Sequence, residues 1–410
     1  MSRKIIHNQL HYILAVLIAF SLPLATLTPI LIVLFALNWI VEGDFLEKLN
    51  NIKQNKVVFV FISLYIVHLL GLIYTDNLKS GWFDMEVKLS LLVFPLIIGS
   101  KPLTEKQVRG IIKSLIISII YVGLYLISRA IIFYFFNHEN VFYYQLFSPF
   151  IHPSYLSMYI NMAVAWVLYQ NYNGKKVFTN AFIVDKLLVL YLFAITFLLA
   201  SKSGIFLFII IVFVYLCLEF YKNRKMIHFA VGSLIILLSF IALSYFSPKN
   251  FDRIIHLIET INSNDIENNS NESSSLRLHL WSTSNEVIKK SFLVGYGTGD
   301  GKDVLNKALE EKEITNAFKN KLNAHNAFYE IFLKLGVVGF VVLLLNIIFP
   351  SFIAFKQNNI LYLFLVIILV FNFSFESMLE TKAGVIFYAF FNSLIFFKVT
   401  VNENNNHSRS

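Results

Sequence analysis

The sequence predicts an all-α integral membrane protein of about twelve transmembrane helices with one large, partly helical extracytoplasmic loop. Three observations carry this. Hydrophobic residues make up 57% of the chain and charged ones 14%, with 42 phenylalanines, a composition that no soluble domain can bury. The apolar residues gather into runs near the length that crosses a bilayer as a helix, about 20 residues. The net charge of +9 falls in short basic clusters between these runs. Charge so placed orients helices in a membrane and does not form a nucleic-acid surface.

The runs lie near 10–25, 27–42, 57–74, 88–100, 110–136, 151–170, 185–201, 204–221, 227–246, 335–355, 358–375 and 383–398. The first follows the basic MSRKIIHNQ, and no small-residue cleavage site comes after it, so it is read as a retained helix and not a signal peptide. Lys48, Lys53 and Lys56 mark one connection, and Lys101, Lys106, Arg109 and Lys113 another. Lys175, Lys176 and Lys186 mark a third, and Lys222, Arg224 and Lys225 a fourth. With an even count of spans all four lie on the side of the basic N-terminus, which the positive-inside rule makes cytoplasmic. The expected organisation is therefore helices 1–9 over residues 1–245, an extracytoplasmic loop domain at 246–326, helices 10–12 over 327–400 and a cytoplasmic tail at 401–410, with both termini inside. In the loop, ETINSNDIENNSNESSS (259–275) reads as a linker with no apolar face to bury. LRLHLWSTSNEVIKK (276–290) predicts a helix with Arg277 and Trp281 on one face, and VLNKALEEKEITNAFKNKL (304–322) one or two amphipathic helices. The single cysteine, Cys217, excludes an intramolecular disulfide and a thiolate metal site.

At the mouth of the tenth run stands NAHNAFYEIFLKLGVVGF (323–340), in which His325 and Asn326 are followed after nine residues by Gly336 and then by Gly339. His-Asn-x9-Gly-x-x-Gly, where a large external loop meets a late transmembrane helix, resembles the signature of the O-antigen ligase and O-antigen polymerase family of bacterial membrane glycosyltransferases. Arg277 with Trp281 ahead of the glycine-rich GYGTGDG, and SKSG (201–204) between the seventh and eighth runs, resemble the family's other motifs. Lysine at 202 stands where these ligases carry arginine, which keeps the charge but loses the bidentate fork. The motifs span roughly residues 201–383, and the amino-terminal third matches in hydropathy only.

The resemblance implies a GT-C-like plan in the bacterial inner membrane with the active site facing the periplasm. It further implies transfer of a glycan from an undecaprenyl-diphosphate carrier to lipid A-core, without cofactor or metal. Arg277 and Lys202 then suit the diphosphate leaving group. His325 either accepts the acceptor hydroxyl's proton or hydrogen-bonds the diphosphate, an imidazole having an ordinary pKa of about 6.5. Arg277 and His325 are the expected catalytic pair, with Lys202, Asn326 and Trp281 beside the substrate. Gly336 and Gly339 are read as removing bulk from one helix face so that a neighbouring helix approaches and fixes the height of His325.

Other residues read more plainly. Glu330 and Lys334, four apart, form an expected structural salt bridge. His152, before Pro153, marks a helix start in preference to a groove-lining residue, and Glu376 and Glu380 read either as loop charges or as groups that orient a cation or sugar. GYGTGDG (295–301) lacks the lysine-hydroxyl pair of a nucleotide loop and reads as a structural turn. With no Asp-x-Asp and no histidines at ligand spacing on the external side, side-chain cations are expected in place of a metal. Within the family the alternatives are an O-antigen polymerase, with a second lipid-linked glycan as acceptor, and a protein O-oligosaccharyltransferase. A transporter or flippase would need ionisable groups at mid-membrane, and the runs offer little besides Arg129.

Overall fold

The computed structural model describes residues 3–24, 26–178, 182–224, 230, 232 and 273–407, and all regular structure among them is helical. In chain order the helices are α1 (Arg3–Ser21), α2 (Thr28–Glu42), α3 (Phe45–Gln54), α4 (Val57–Gly71), α5 (Leu78–Lys88) and α6 (Ser90–Ser100). Next come α7 (Glu105–Ile132), α8 (Tyr144–Phe147), α9 (Pro153–Tyr172), α10 (Phe182–Leu198) and α11 (Lys202–Asn223). The last group is α12 (Ser273–Lys290), α13 (Gly301–Glu311), α14 (Thr315–Lys319), α15 (Ala327–Lys356), α16 (Ile360–Phe375) and α17 (Lys382–His407). The apolar run at 227–246 and most of the Asn/Ser-rich stretch lie outside the described residues.

Among the described residues four helical stretches are long and apolar enough to cross a membrane: Arg3–Leu24, Glu105–Asn137, Lys202–Asn223 and Ala327–Lys356. The bent pair α2 and α3, which meet at 111°, makes up to five, and α4 and α16 are shorter apolar helices. The protein is thus an all-helical integral membrane protein. Helix α9 is apolar and buried on nearly every side, the pattern of a helix enclosed by other helices. Around it stand α7, α10, α11 and α16, while α17 packs on α6 and α15 lies between α4 and α16. A second, smaller core is built from α12–α14 and the start of α15, with Leu280, Val287, Leu305, Leu309 and Leu333 at its centre.

Two sequence expectations change here. Gly336 does not sit on a smooth helix face, because α15 breaks at that residue, with φ 60° and ψ −157°. The break frees backbone groups that must find partners inside the protein. The turn after α12 supplies them: Tyr296 N–H donates to Leu333 O (3.0 Å), Gly297 N–H to Lys334 O (2.8 Å), and Val337 N–H to Phe292 O (2.9 Å). The close neighbour of Gly336 is therefore this turn's backbone at Leu293, not another transmembrane helix. Gly339 meets Leu335 and Ile331 of its own helix across the break. In place of the expected Glu330–Lys334 bridge, Lys334 pairs with Asp84 (3.0 Å) and Glu380, which also hold the fully buried Lys88 at 2.7 and 3.1 Å. Glu330 turns instead toward the loop that carries His325, where it accepts from the Ala324 N–H.

Candidate active site

A cavity of about 740 Å³ opens where α9 and α11 begin. Its wall includes Lys202, Arg277, His325 and Glu376, brought from four distant parts of the chain.

Two helix starts form one side. His152 caps α9, its ring accepting from Ser154 N–H at 3.3 Å, and Pro153 follows at the first helical position. Ser201 caps α11, accepting from Gly204 N–H at 3.2 Å. The two starts are held together: Ser157 Oγ donates to Ser201 Oγ (3.3 Å), and the Asn161 amide donates to Gly204 O (3.0 Å). A side chain at Gly204 would run into Ser157, so the close approach depends on glycine. Both long helices thus end with their positive dipole poles at the cavity, an arrangement suited to an anion. Lys202, exposed in the first turn of α11, adds a full charge.

The opposite side carries His325 in a turn clamped by six hydrogen bonds. Trp281 Nε1–H donates to Ala324 O (2.9 Å), and Ala324 N–H donates to Glu330 Oε1 (2.6 Å). His325 N–H donates to Asn323 Oδ1 (3.2 Å). Asn326 caps α15 by accepting from Phe328 N–H (2.9 Å) and Tyr329 N–H (3.2 Å), and its amide donates to Ser374 O (3.0 Å). Held this way, His325 takes a left-handed backbone, φ 46°, which a non-glycine residue adopts only where its surroundings require it. Asn326 and Trp281, expected beside substrate, lie outside the cavity wall and hold the turn that presents His325.

Glu376 joins the two sides. Its Oε1 stands 3.5 Å from Arg277 Nη2 and its Oε2 3.6 Å from His325 Nδ1. Burial alone would raise this carboxyl. The interaction with His325, the charge of Arg277 and the Ser154 hydroxyl outweigh it and hold the group below the ordinary carboxylate range. Glu376 is thus ionised at neutral pH, a counter-charge buried between an arginine and an imidazole. His152 also lines the wall; burial, ahead of the charges of His325 and Arg277, pushes its ring below the ordinary imidazole value, while Glu376 pulls the other way.

Of the expected residues, Lys202, Arg277 and His325 come together, while Trp281 and Asn326 support them and Gly336 and Gly339 belong to the break in α15. The sequence leaves Glu376 open between a loop charge and a group that orients a cation or sugar, reads His152 as a helix start and gives no signal for Tyr144; all three line the cavity. The one available signal was Pro153, which marks position 152 as a helix start and so as a place where anions collect.

Fold and cavity define the class: a helical integral membrane protein with a cavity that brings two helix N-termini and two cationic side chains together with an imidazole–carboxylate couple. Residues 187–344, somewhat under half of the chain, match the family model described as O-antigen ligase, and over that stretch the chain is similar to the O-antigen ligase and polymerase family. A Haemophilus influenzae protein described as "uncharacterized protein" is 27% identical over 143 residues, which cover 32% of this chain and 35% of that protein. The chain thus spans about a third of that relative's length.

Proposed function

We propose that the protein is a membrane glycosyltransferase of the O-antigen ligase type, moving a polysaccharide from undecaprenyl diphosphate to lipid A-core on the outer face of the inner membrane. The observation that carries this reading is the convergence of Lys202, Arg277 and His325 with Glu376 in one cavity at two helix N-termini. In the proposed arrangement twelve helices cross the membrane, both termini are cytoplasmic, and the loop at 246–326 is extracytoplasmic, as the distribution of lysine and arginine favours.

The acceptor hydroxyl oxygen attacks the anomeric carbon of the donor's first sugar, and the bond from that carbon to the diphosphate oxygen breaks with its electron pair. The diphosphate gains charge as it leaves. Arg277, Lys202 and the starts of α9 and α11 meet that charge, so the step needs no metal. His325 accepts the hydroxyl proton. Its Nδ1 faces Glu376, which favours the tautomer with Nδ1–H toward the carboxylate and leaves Nε2 as the basic nitrogen. Glu376 then stabilises the imidazolium, as the carboxylate does in a serine-protease triad.

The same chemistry serves a polymerase if the acceptor is a second lipid-linked glycan, or a protein transferase if it is a protein hydroxyl. The test uses purified protein in liposomes containing lipid-linked donor and lipid A-core, with chelator present. His325→Ala should lower transfer by about a hundredfold to ten-thousandfold, the usual cost of losing a general base. Parent activity in that variant, or strict dependence on a divalent ion, would overturn the mechanism.

A further inference from the structure

We propose that His152 is a substrate-contacting residue, an uncharged N–H donor held toward an oxygen of the sugar being transferred, and not merely the cap of α9. The inference rests on the donor reading above.

The geometry assigns the two ring nitrogens different tasks. Nδ1 accepts the N–H of Ser154 at the start of α9, so it must keep its lone pair. The neutral ring then carries its proton on Nε2. Nε2 reaches the hydroxyl of Tyr144 at 3.3 Å, a long contact to a side chain on the short helix α8, where Tyr144 and Gln145 and the preceding Tyr143 also line the cavity. The ring is held in place by edge contacts with Tyr144 and Tyr155, at centroid distances of 5.8 and 6.2 Å. Tyr144 itself has a left-handed backbone, φ 53°. What results is an oriented N–H at the cavity wall whose present partner is a replaceable phenol.

The charge pattern around the ring selects its ligand. Arg277, His325 and Glu376 are the charged groups that act on it, and the phenols of Tyr144 and Tyr155 pack edge-on against it. A second proton would have to enter at Nδ1, against the Ser154 N–H and the positive pole of α9, so the helix start keeps the ring neutral. A neutral imidazole at a helix N-terminus that donates to a substrate oxygen is a known catalytic device. Lys202 and Arg277 are better suited to the diphosphate, because a charged donor gains roughly twice as much from an anion as a neutral one. An uncharged oriented N–H suits a sugar hydroxyl or ring oxygen.

Two substitutions separate the cap from the donor. His152→Asn keeps a strong capping side chain but ends near the position of Nδ1, so it removes the N–H that points into the cavity. His152→Gln reaches the position of Nε2 with an amide N–H but caps poorly. The readouts are thermal unfolding in detergent, affinity for undecaprenyl diphosphate without sugar, and transfer in liposomes at saturating donor. His152→Asn should melt like the parent, bind the bare carrier within about twofold of the parent, and transfer at least about tenfold more slowly, one lost hydrogen bond in the transition state. His152→Gln should melt lower yet transfer faster than His152→Asn. Lys202→Ala should instead weaken binding of the bare carrier. Parent-like transfer by His152→Asn, or weakened binding of the bare carrier in step with transfer, would overturn the inference while leaving the donor reading intact. A parent protein that does not bind the carrier at all would overturn both.

Discussion

Replacing Gly336 with alanine should destabilise the protein by several kilocalories per mole without touching any residue of the cavity. The backbone there, φ 60° and ψ −157°, lies in a region open essentially to glycine, and an L-residue in it costs about 1 to 3 kcal/mol. A Cβ would also run into the backbone of Leu293 and come within 2.6 Å of Val294 N. The turn must then move, straining three backbone hydrogen bonds of 2.8 to 3.0 Å that satisfy the broken helix, each worth about 1 kcal/mol net. The sum is roughly 4 to 6 kcal/mol. Gly174 supplies the control, for its φ is 68° and nothing lies within 4 Å of an added Cβ. Gly174→Ala should therefore show the left-handed penalty alone, about 1 to 2 kcal/mol. Intrinsic fluorescence during heating in detergent micelles compares the two variants with the parent. Because the displaced turn leads out of α12, which carries Arg277, Gly336→Ala should also bind undecaprenyl diphosphate more weakly even when folded. A Gly336→Ala protein that melts together with Gly174→Ala would refute the role assigned to the break.

Three further outcomes are expected. Arg277→Lys should retain part of the transfer rate and Arg277→Ala almost none, a charge-assisted contact being worth about 1.5 to 3 kcal/mol; comparable rates at equal abundance would remove Arg277 from the site. Glu376 has a folded-state pKa below its ordinary 4.5, so its stabilising contribution is fully present above that value and is lost as pH falls through the lower folded one. The melting temperature of the parent should drop more steeply below about pH 4.5 than that of Glu376→Gln, and parallel profiles would contradict the pairing with His325 and Arg277. Glu310, exposed on α13, should react as Glu310→Cys with a membrane-impermeant maleimide in intact spheroplasts in a Cys217→Ser background. Labelling only after lysis would invert the topology.

Hydropathy made the helical plan legible because a 20-residue apolar run has few other ways to exist. The apolar runs with described residues all fall on helices, from α1 through α17. Arg277 and Lys202 were legible as cations outside the apolar runs, and His325 by its motif. Glu376, the partner of Arg277 and His325, stayed open between a loop charge and an orienting group, because a carboxylate in a short loop after α16 looks like any solvated charge until the chain folds it between them. The ion-pair set of buried Asp84, Lys88 and Lys334 with the half-buried Glu380 was hidden for the same reason: Asp84 and Lys334 are 250 residues apart. His152 shows a subtler limit. The sequence signal at His152-Pro153 correctly marked a helix start, but capping uses only one face of the ring, and local pattern says nothing of what the other nitrogen faces. At Gly336 the small-residue reading assumed an unbroken helix, and the break became visible only with the turn that satisfies it.

In the proposed mechanism the donor's diphosphate sits between Arg277 and Lys202 at the starts of α9 and α11. Electron cryo-microscopy of the protein in nanodiscs with undecaprenyl diphosphate tests it most directly. Phosphate density within hydrogen-bond distance of Arg277 and of the first backbone N–H groups of α11, about 3 Å, with His325 Nε2 open to the cavity, is the expected result. Phosphate density elsewhere, such as along Lys289 at the aromatic groove between α12 and α15, with the cavity empty, would contradict it.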